Sequence, residues 1–174
     1  MVKESHLEFA KTIFSDSGVH ITTDGRIYLG SFIGSYDMKY SFVQTKVKSC
    51  ITGLGELTLV INTQPHAAFC GFTHGIVNNW RYMFRITGQI ENSIQPLKDA
   101  IRHKFVPAVT GRLRISENER KVVSLPAGMG GLNICIPKEL AKDEYVNSRT
   151  ATEPLIRAIS EQRRQKWMNL QVKR

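Results

Sequence analysis

The sequence predicts a mainly α-helical protein that carries one β-hairpin near its N-terminus and one short strand further along. From Tyr36 onward, apolar residues recur at steps of three and four, which is the spacing of one helix face. Alternation of apolar and polar residues is confined to two short stretches, 19–33 and 132–136. Hydrophobic residues make up 41% of the chain and charged residues 22%, so the composition is that of a globular protein and excludes a low-complexity linker.

The first alternating stretch predicts a β-hairpin. Apolar and polar residues alternate from Val19 to Thr23, and Asp24-Gly25 follows, a dipeptide that favours tight hairpin turns. Residues 27–33 then form the return strand, which Gly34 closes. We therefore expect a hairpin over 19–33 with its turn at Asp24-Gly25.

Helices follow the hairpin. The apolar pattern predicts a first long helix over 36–61, which Gly53 and Gly55 weaken in its second half because glycine costs about 1 kcal/mol relative to alanine. Pro65 suits the first turn of a second helix, where a missing N–H costs nothing. A third helix is expected to end near Pro107, since the residue before a proline disfavours helical geometry.

The last third of the chain has its own start and stop signals. Ser116 and Glu119 have the spacing of a capping box, which predicts a short helix that stops before Pro126. Residues 132–136 are expected to form a brief strand. Pro154 marks the expected start of a final helix.

Positive charge increases along the chain, which has a net charge of +9. Residues 1–34 carry −1, residues 35–110 carry +4 and residues 111–174 carry +6, including a basic tail from Glu161 to Arg174. We take these ranges as the three segments of the protein. The excess favours a polyanionic partner, with nucleic acid first and an anionic membrane surface second, unless it only keeps the protein soluble.

Two further features bear on the protein's surroundings. No apolar run reaches the roughly 18 residues that a membrane helix needs, and the N-terminal residues lack the apolar core of a secretory signal, so no membrane association is expected. Cys50, Cys70 and Cys135 lie far apart, and this odd, sparse set is not a disulfide framework. We expect an intracellular protein, with nucleus and cytoplasm not distinguished and the oligomeric state open.

The sequence offers few candidates for catalysis. Two-metal polymerases and nucleases need clustered carboxylates, but the only adjacent acids are Asp143 and Glu144, so no catalytic residue, metal or other cofactor is assigned. His66, Cys70 and His74 would share one helix face at i, i+4 and i+8. They are either metal ligands completed elsewhere or a face on which Cys70 is a small core residue. A Cys-His enzyme stays open, without a local signature.

Basic residues interleaved with aromatic ones are the stronger signal. Trp80, Arg81, Tyr82, Phe84 and Arg85 form one dense patch. Cations of this kind bind phosphates, whereas Trp80 and Phe84 are better explained as helix-packing core than as base-stacking residues. The candidate nucleic-acid-binding residues are Lys46, Lys48, Arg81, Arg85, Arg102, Lys104 and Arg112. In the competing interpretation, Arg81 and Arg85 pair with acids on the protein's own surface.

Five stretches, in order, resemble reverse transcriptases of non-LTR-type retrotransposons, in the region after the catalytic palm. They are GVHITTDGRIYLGSFIG (18–34), TQPHAAFCGFTHGIVNNWRYMFR (63–85), LKDAIRHKFVPAVTGR (97–112), SLPAGMGGLNI (124–134) and YVNSRTATEPL (145–155). The resemblance implies a primer-grip hairpin in 1–34, a thumb-like helical bundle in 35–110 and a helical connection region in 111–174. Leu29, Gly30, Ile33 and Gly34 match the grip.

The acidic metal-binding motif of the palm is absent from the sequence. The resemblance therefore implies a C-terminal fragment or remnant of a retroelement reverse transcriptase, which binds template–primer RNA or DNA without catalysis of its own; Mg²⁺ belongs only to the complete polymerase. The sequence does not distinguish RNA from DNA. The alternative is a domesticated helical module that binds protein and has lost the nucleic acid.

Overall fold

The computed structural model describes residues 2–161 and confirms the mainly α-helical class. The predicted basic tail beyond Glu161 lies outside the described residues. The elements are α1 (Leu7–Ile13), β1 (Gly25–Tyr28), β2 (Ser31–Gly34), α2 (Tyr36–Val60), α3 (Pro65–Cys70), a π turn (Gly71–Ile76), α4 (Val77–Ile86), α5 (Gln95–Ala100), a second π turn (Ile101–Phe105), α6 (Val106–Thr110), α7 (Glu117–Ser124) and α8 (Pro137–Ser160), with 3₁₀ turns at Glu4–His6 and Ala127–Met129. No helix within residues 2–161 is both long and apolar enough to cross a membrane.

The hairpin exists, but its predicted turn is wrong. Strands β1 and β2 pair antiparallel from Gly25↔Gly34 to Tyr28↔Ser31, so the turn is Leu29-Gly30. Both turn residues have positive φ, 47° and 77°, as a two-residue type I′ turn requires. Asp24-Gly25 forms the open end instead, where Gly25 faces Gly34 so closely that a Cβ on either would collide with the other's backbone. The strands are therefore shorter than predicted.

Two phenyl rings stack at the centre of the helical bundle. Phe72 and Phe105 each lie in a π turn and are fully buried, and their ring centroids are 4.3 Å apart. Trp80 meets Phe72 edge to face at 5.8 Å. The segment from α3 to α4 thus contacts the segment from α5 to α6 through aromatic side chains, and α2 packs against both with Val43, Val47 and Leu54. The predicted first helix is continuous despite its glycines.

The helix that contains Pro107 does not end there, contrary to the sequence-based prediction. The second π turn precedes Pro107, and helical geometry continues to Thr110, after which Gly111 adopts a left-handed conformation with φ 66°. A proline lacks the N–H for a bond to the preceding turn, and a π turn before it already departs from the regular hydrogen-bond ladder. Gly111 is a common residue type for this type of helix end.

Pro154 lies inside α8 rather than at the start of a helix, so that prediction is also wrong. The helix begins earlier, at Pro137, which occupies the first turn as Pro65 does in α3. Residues near Pro154 are exposed, and solvent can hydrogen-bond the carbonyl that the missing N–H leaves unpaired.

The predicted capping box is confirmed: the Ser116 hydroxyl accepts from the Glu119 N–H, and the Glu119 carboxylate accepts from the Ser116 N–H. The predicted strand at 132–136 is not, because no partner strand is present there. Backbone N–H groups of this segment donate to carbonyls of Val123 and Leu125 at the end of α7. The buried Arg120 guanidinium donates to the carbonyls of Ile134 and Cys135, at 2.8 and 2.7 Å. These hydrogen bonds give several backbone groups of the segment partners outside a sheet.

The N-terminal part is the least buried. Among the described residues before α2, Ala10 is the only buried one. The hairpin contacts the bundle through Phe32, whose ring stacks on Phe42 of α2 with centroids 6.1 Å apart. Stability is therefore concentrated in the helical bundle.

We expect Phe105→Ala to destabilise the protein by about 3–5 kcal/mol, because it removes a fully buried ring that contacts Phe72 and leaves a cavity. Chemical denaturation measures the free energy of unfolding. Phe9→Ala is the matched control, since the Phe9 side chain is 69% exposed, and we expect a change within about 0.5 kcal/mol. Equal effects of the two substitutions would contradict the central role of the aromatic stack.

Candidate nucleic-acid interface

The hairpin tip is held against α4. The Tyr82 hydroxyl donates a hydrogen bond to the Leu29 carbonyl, and Gly30 lies so close to the Tyr82 ring that a Cβ on Gly30 would be 3.2 Å from it. Leu29 has a positive φ, which is uncommon for a residue with a Cβ, and its side chain is 76% exposed. The contact with Tyr82 thus stabilises a strained turn residue.

An open cleft of about 900 Å³ lies between α2 and α4, with the hairpin tip at its edge. Its lining residues are Gly30, Phe42, Lys46, Ser49, Cys50, Thr52, Gly53, Glu56, Ile76, Asn78, Asn79, Trp80, Tyr82 and Met83. The α2 positions recur at steps of three and four beside the buried stripe of Val43, Val47 and Leu54. The cleft therefore brings together Gly30, assigned to the grip, and Lys46, assigned to nucleic-acid binding.

Charge is distributed unevenly along this cleft. The Lys46 ammonium lies over the Phe42 ring, 5.6 Å from its centroid, and no carboxylate of the described residues pairs with it. Glu56 lies ten residues further along α2, about 15 Å away at 1.5 Å per residue. A negatively charged ligand is therefore attracted to the Lys46 end and repelled at the Glu56 end.

Arg81 and Arg85 share one carboxylate. Glu144 of α8 places Oε1 2.9 Å from Arg81 Nε and Oε2 2.6 Å from Arg85 Nε. This is the pairing with surface acids that the competing interpretation expects, and it leaves the trio with a single net positive charge. Trp80 and Phe84 are fully buried, in agreement with the packing interpretation of the aromatic residues.

The other candidate cations are of two kinds: some pair with a carboxylate and some do not. Arg102 pairs with Glu117 at 2.6 Å, and Arg112 pairs with Glu119. Lys48 and Lys104 are exposed and make no ion pair within residues 2–161. Three lysines, Lys46, Lys48 and Lys104, are thus the candidates whose charge no described acid neutralises.

The four residues assigned to the primer grip do not lie together at the cleft. Leu29 and Gly30 form the turn beside the cleft, whereas Gly34 pairs with Gly25 at the opposite end of the hairpin. Ile33 lies in β2 with its side chain 54% exposed and does not line the cleft. Sequence reasoning missed Asn78, Asn79 and Glu56, whose only signal is their helical spacing on the two facing walls.

His66, Cys70 and His74 do not form a metal site: within residues 2–161, no three His, Cys, Asp or Glu residues are placed to hold a metal ion. All three are exposed, so Cys70 is not the core residue that the alternative supposed. The π turn at Gly71–Ile76 changes the angular step between Cys70 and His74, which breaks the common face.

The two partly buried cysteines are not activated. Burial raises the pKa of the Cys50 thiol, although the nearby Lys46 charge opposes this effect. Burial also raises the pKa of Cys135, opposed by the charges of Arg120 and Arg81. A nucleophilic cysteine needs the opposite shift, toward the thiolate.

We expect Tyr82→Phe to release the hairpin tip, because it removes the hydroxyl that donates to Leu29 while it keeps the ring. Amide hydrogen exchange in β1 and β2 should accelerate by about fivefold, which corresponds to a lost hydrogen bond of about 1 kcal/mol. Tyr40→Phe is the control, since Tyr40 is exposed and donates no hydrogen bond to the described residues. Unchanged hairpin exchange in Tyr82→Phe would show that the tip is held in another way.

The raised pKa values predict slow thiol chemistry at neutral pH. We expect the alkylation rates of Cys50 and Cys135 to rise with pH to an inflection above that of the unfolded protein, because less thiolate is present at any lower pH. Mass-spectrometric rates of iodoacetamide labelling in native and denatured protein measure this. Labelling that is faster in the native than in the denatured protein at pH 7 would contradict this prediction and favour the hypothesis of a Cys-His enzyme.

Comparison with known proteins assigns no relationship: no family model matches the chain, and neither a curated protein nor a solved structure is significantly similar to it.

Proposed function

We propose that this protein binds nucleic acid through the cleft between α2 and α4, as a non-catalytic remnant of a retroelement reverse transcriptase. One observation carries the proposal: the hairpin tip and Lys46, which sequence reasoning assigned separately to the primer grip and to nucleic-acid binding, line the same open cleft. The order of a hairpin followed by helices in one chain is also what the resemblance implies.

Charge and shape support contact with a phosphate backbone at the Lys46 end. The Lys46 ammonium has no carboxylate partner among the described residues, so a phosphate does not have to displace an existing ion pair. The exposed Lys48 and Lys104 add positive potential around the bundle, whereas Arg81 and Arg85 are already ion-paired with Glu144. Lys46 is therefore the principal expected contact among the candidate cations.

The polar residues of the cleft do not specify a base sequence. Asn78 and Asn79 are exposed, and the Asn78 amide already donates to the His74 carbonyl at 2.8 Å. The aromatic Trp80 is fully buried and offers no face on which a base could stack. We therefore propose that the cleft binds the phosphate backbone of nucleic acid weakly. The affinity should fall steeply with salt concentration and should not depend on base sequence.

A titration of labelled DNA duplexes and RNA–DNA hybrids at several salt concentrations tests this function. We expect Lys46→Ala to weaken binding to all sequences alike and to reduce the log–log salt slope by about 0.9, the loss of one phosphate contact. Lys142→Ala is the matched control: it removes the same charge from an exposed position on α8, away from the cleft lining, and should leave the slope unchanged.

Binding that is independent of salt, or equal effects of the two substitutions, would contradict the proposed contact. In the first case the polyanion is not the ligand. In the second case the net charge, and not the cleft, is responsible.

A protein-binding module is the second candidate function, and the N-terminal surface favours it. Large apolar side chains there are mostly solvent-exposed, including Phe9, Ile13, Ile27, Leu29 and Ile33. Exposed apolar side chains of this kind form a protein contact site where they lie together in one patch. Loss of nucleic-acid binding in every arm of the titration, for a protein that remains folded, would favour this candidate.

A further inference from the structure

A second, much smaller pocket lies where α5 and its π turn, α7 and the start of α8 meet. Its volume is about 50 Å³, and it shares no lining residue with the cleft between α2 and α4. The lining residues are Lys98, Arg102, Glu117, Arg120, Lys121, Ile136 and Glu139. Four of them are cations and two are carboxylates, so the pocket carries a net charge of +2.

The buried cation in this pocket lacks a counter-ion. Arg120 is 4% exposed, and its two described hydrogen bonds go to the neutral carbonyls of Ile134 and Cys135. No carboxylate of residues 2–161 lies within ion-pairing distance of it. A guanidinium stays charged in proteins, and buried charges are ordinarily paired because desolvation is costly.

The nearby carboxylates do not supply the missing charge. Glu117 is held by Arg102, with 2.6 Å between the paired atoms. Glu139 lies close enough to favour the charged form of Arg120 but not to pair with it. Desolvation is the main cause that lowers the pKa of Arg120, and the positive charge of Arg102 acts in the same direction, while Cys135, Glu139 and Glu117 oppose them without reversing the shift. The site therefore favours one more negative charge.

Donors for an anion are in place. A guanidinium has five N–H groups, of which Arg120 uses two on the described carbonyls. Lys98 precedes Arg102 by one helical turn, and Lys121 follows Glu117 by one turn on α7, so the two ammonium groups border the pocket from different helices. Neither lysine makes an ion pair with a described acid.

We propose that this pocket binds a phosphate group, either as a free anion or as the terminal phosphate of an oligonucleotide. A volume of about 50 Å³ exceeds the need of a single water, about 10–15 Å³, and is too small for a nucleoside. A tetrahedral oxyanion supplies the missing charge and several acceptors at once. The proposal stands on Arg120 and does not depend on the function of the larger cleft.

Isothermal titration of the full chain with inorganic phosphate, at constant ionic strength against chloride, tests the site. We expect saturable binding with one phosphate per chain. The double substitution Lys98→Met and Lys121→Met removes two donors, one at a partly exposed and one at an exposed position, and should raise the dissociation constant by about tenfold or more. The matched control, Lys3→Met with Lys142→Met, removes the same charge from exposed positions that line neither pocket and should leave the constant unchanged.

A 5′-phosphorylated trinucleotide and its unphosphorylated counterpart distinguish the two sources. Tighter binding of the phosphorylated form than of free phosphate, without binding of the other, identifies an oligonucleotide end; equal or weaker binding identifies the free anion. Absence of saturable phosphate binding, or equal weakening by the two double substitutions, would overturn the proposal. Because the small pocket shares no lining residue with the α2–α4 cleft, and Lys46→Ala tests that cleft, a failure of the cleft to bind nucleic acid is recognised separately.

Discussion

The stacking of Phe72 on Phe105 is the contact on which the arrangement of the helices depends. Each ring projects from a π turn, and the two turns occur where α3–α4 and α5–α6 meet. Fully buried phenyl rings exclude water and fix the spacing of the two segments, while Trp80 meets Phe72 from the side. The orientation of α4, and with it the wall of the cleft that carries Tyr82, follows from this packing.

One charged side chain attaches the C-terminal part to this bundle, and another holds that part together internally. Arg120 donates to carbonyls of the segment before α8, which keeps Ile134 fully buried, and Glu144 of α8 bridges Arg81 and Arg85 of α4. The contact of Glu144 with Arg85 joins residues 59 positions apart, whereas the contacts of Arg120 span 14 and 15 positions. Glu144, together with Glu117 and Glu119, neutralises the candidate arginines, so the candidate cations without an acidic partner among the described residues are lysines.

Net charge is accordingly a poor guide to the binding surface. The chain carries +9, but four of the seven arginines and lysines that sequence reasoning selected pair with glutamates in the fold. An exposed ion pair contributes little to stability, yet it removes most of the attraction between its cation and a phosphate. The remaining lysines and the uncompensated Arg120 guanidinium lie at separate places, which suits a shallow backbone contact and a small anion pocket better than one continuous basic groove.

The sequence by itself determined the helical class, the existence of the hairpin, the capping box at Ser116 and the start of α3 at Pro65, because periodicity and caps act over a few residues. Only the tertiary structure decided the position of the hairpin turn. The Tyr82–Leu29 hydrogen bond and the Phe32–Phe42 stack stabilise a turn at Leu29-Gly30, although Asp24-Gly25 is the locally favoured turn sequence. It also decided that 132–136 is not a strand, because its backbone bonds to the end of α7 and to the Arg120 side chain rather than to a second strand. Ion pairs such as Arg81–Glu144 join residues over 60 positions apart, so no local pattern reveals which cations a ligand can reach.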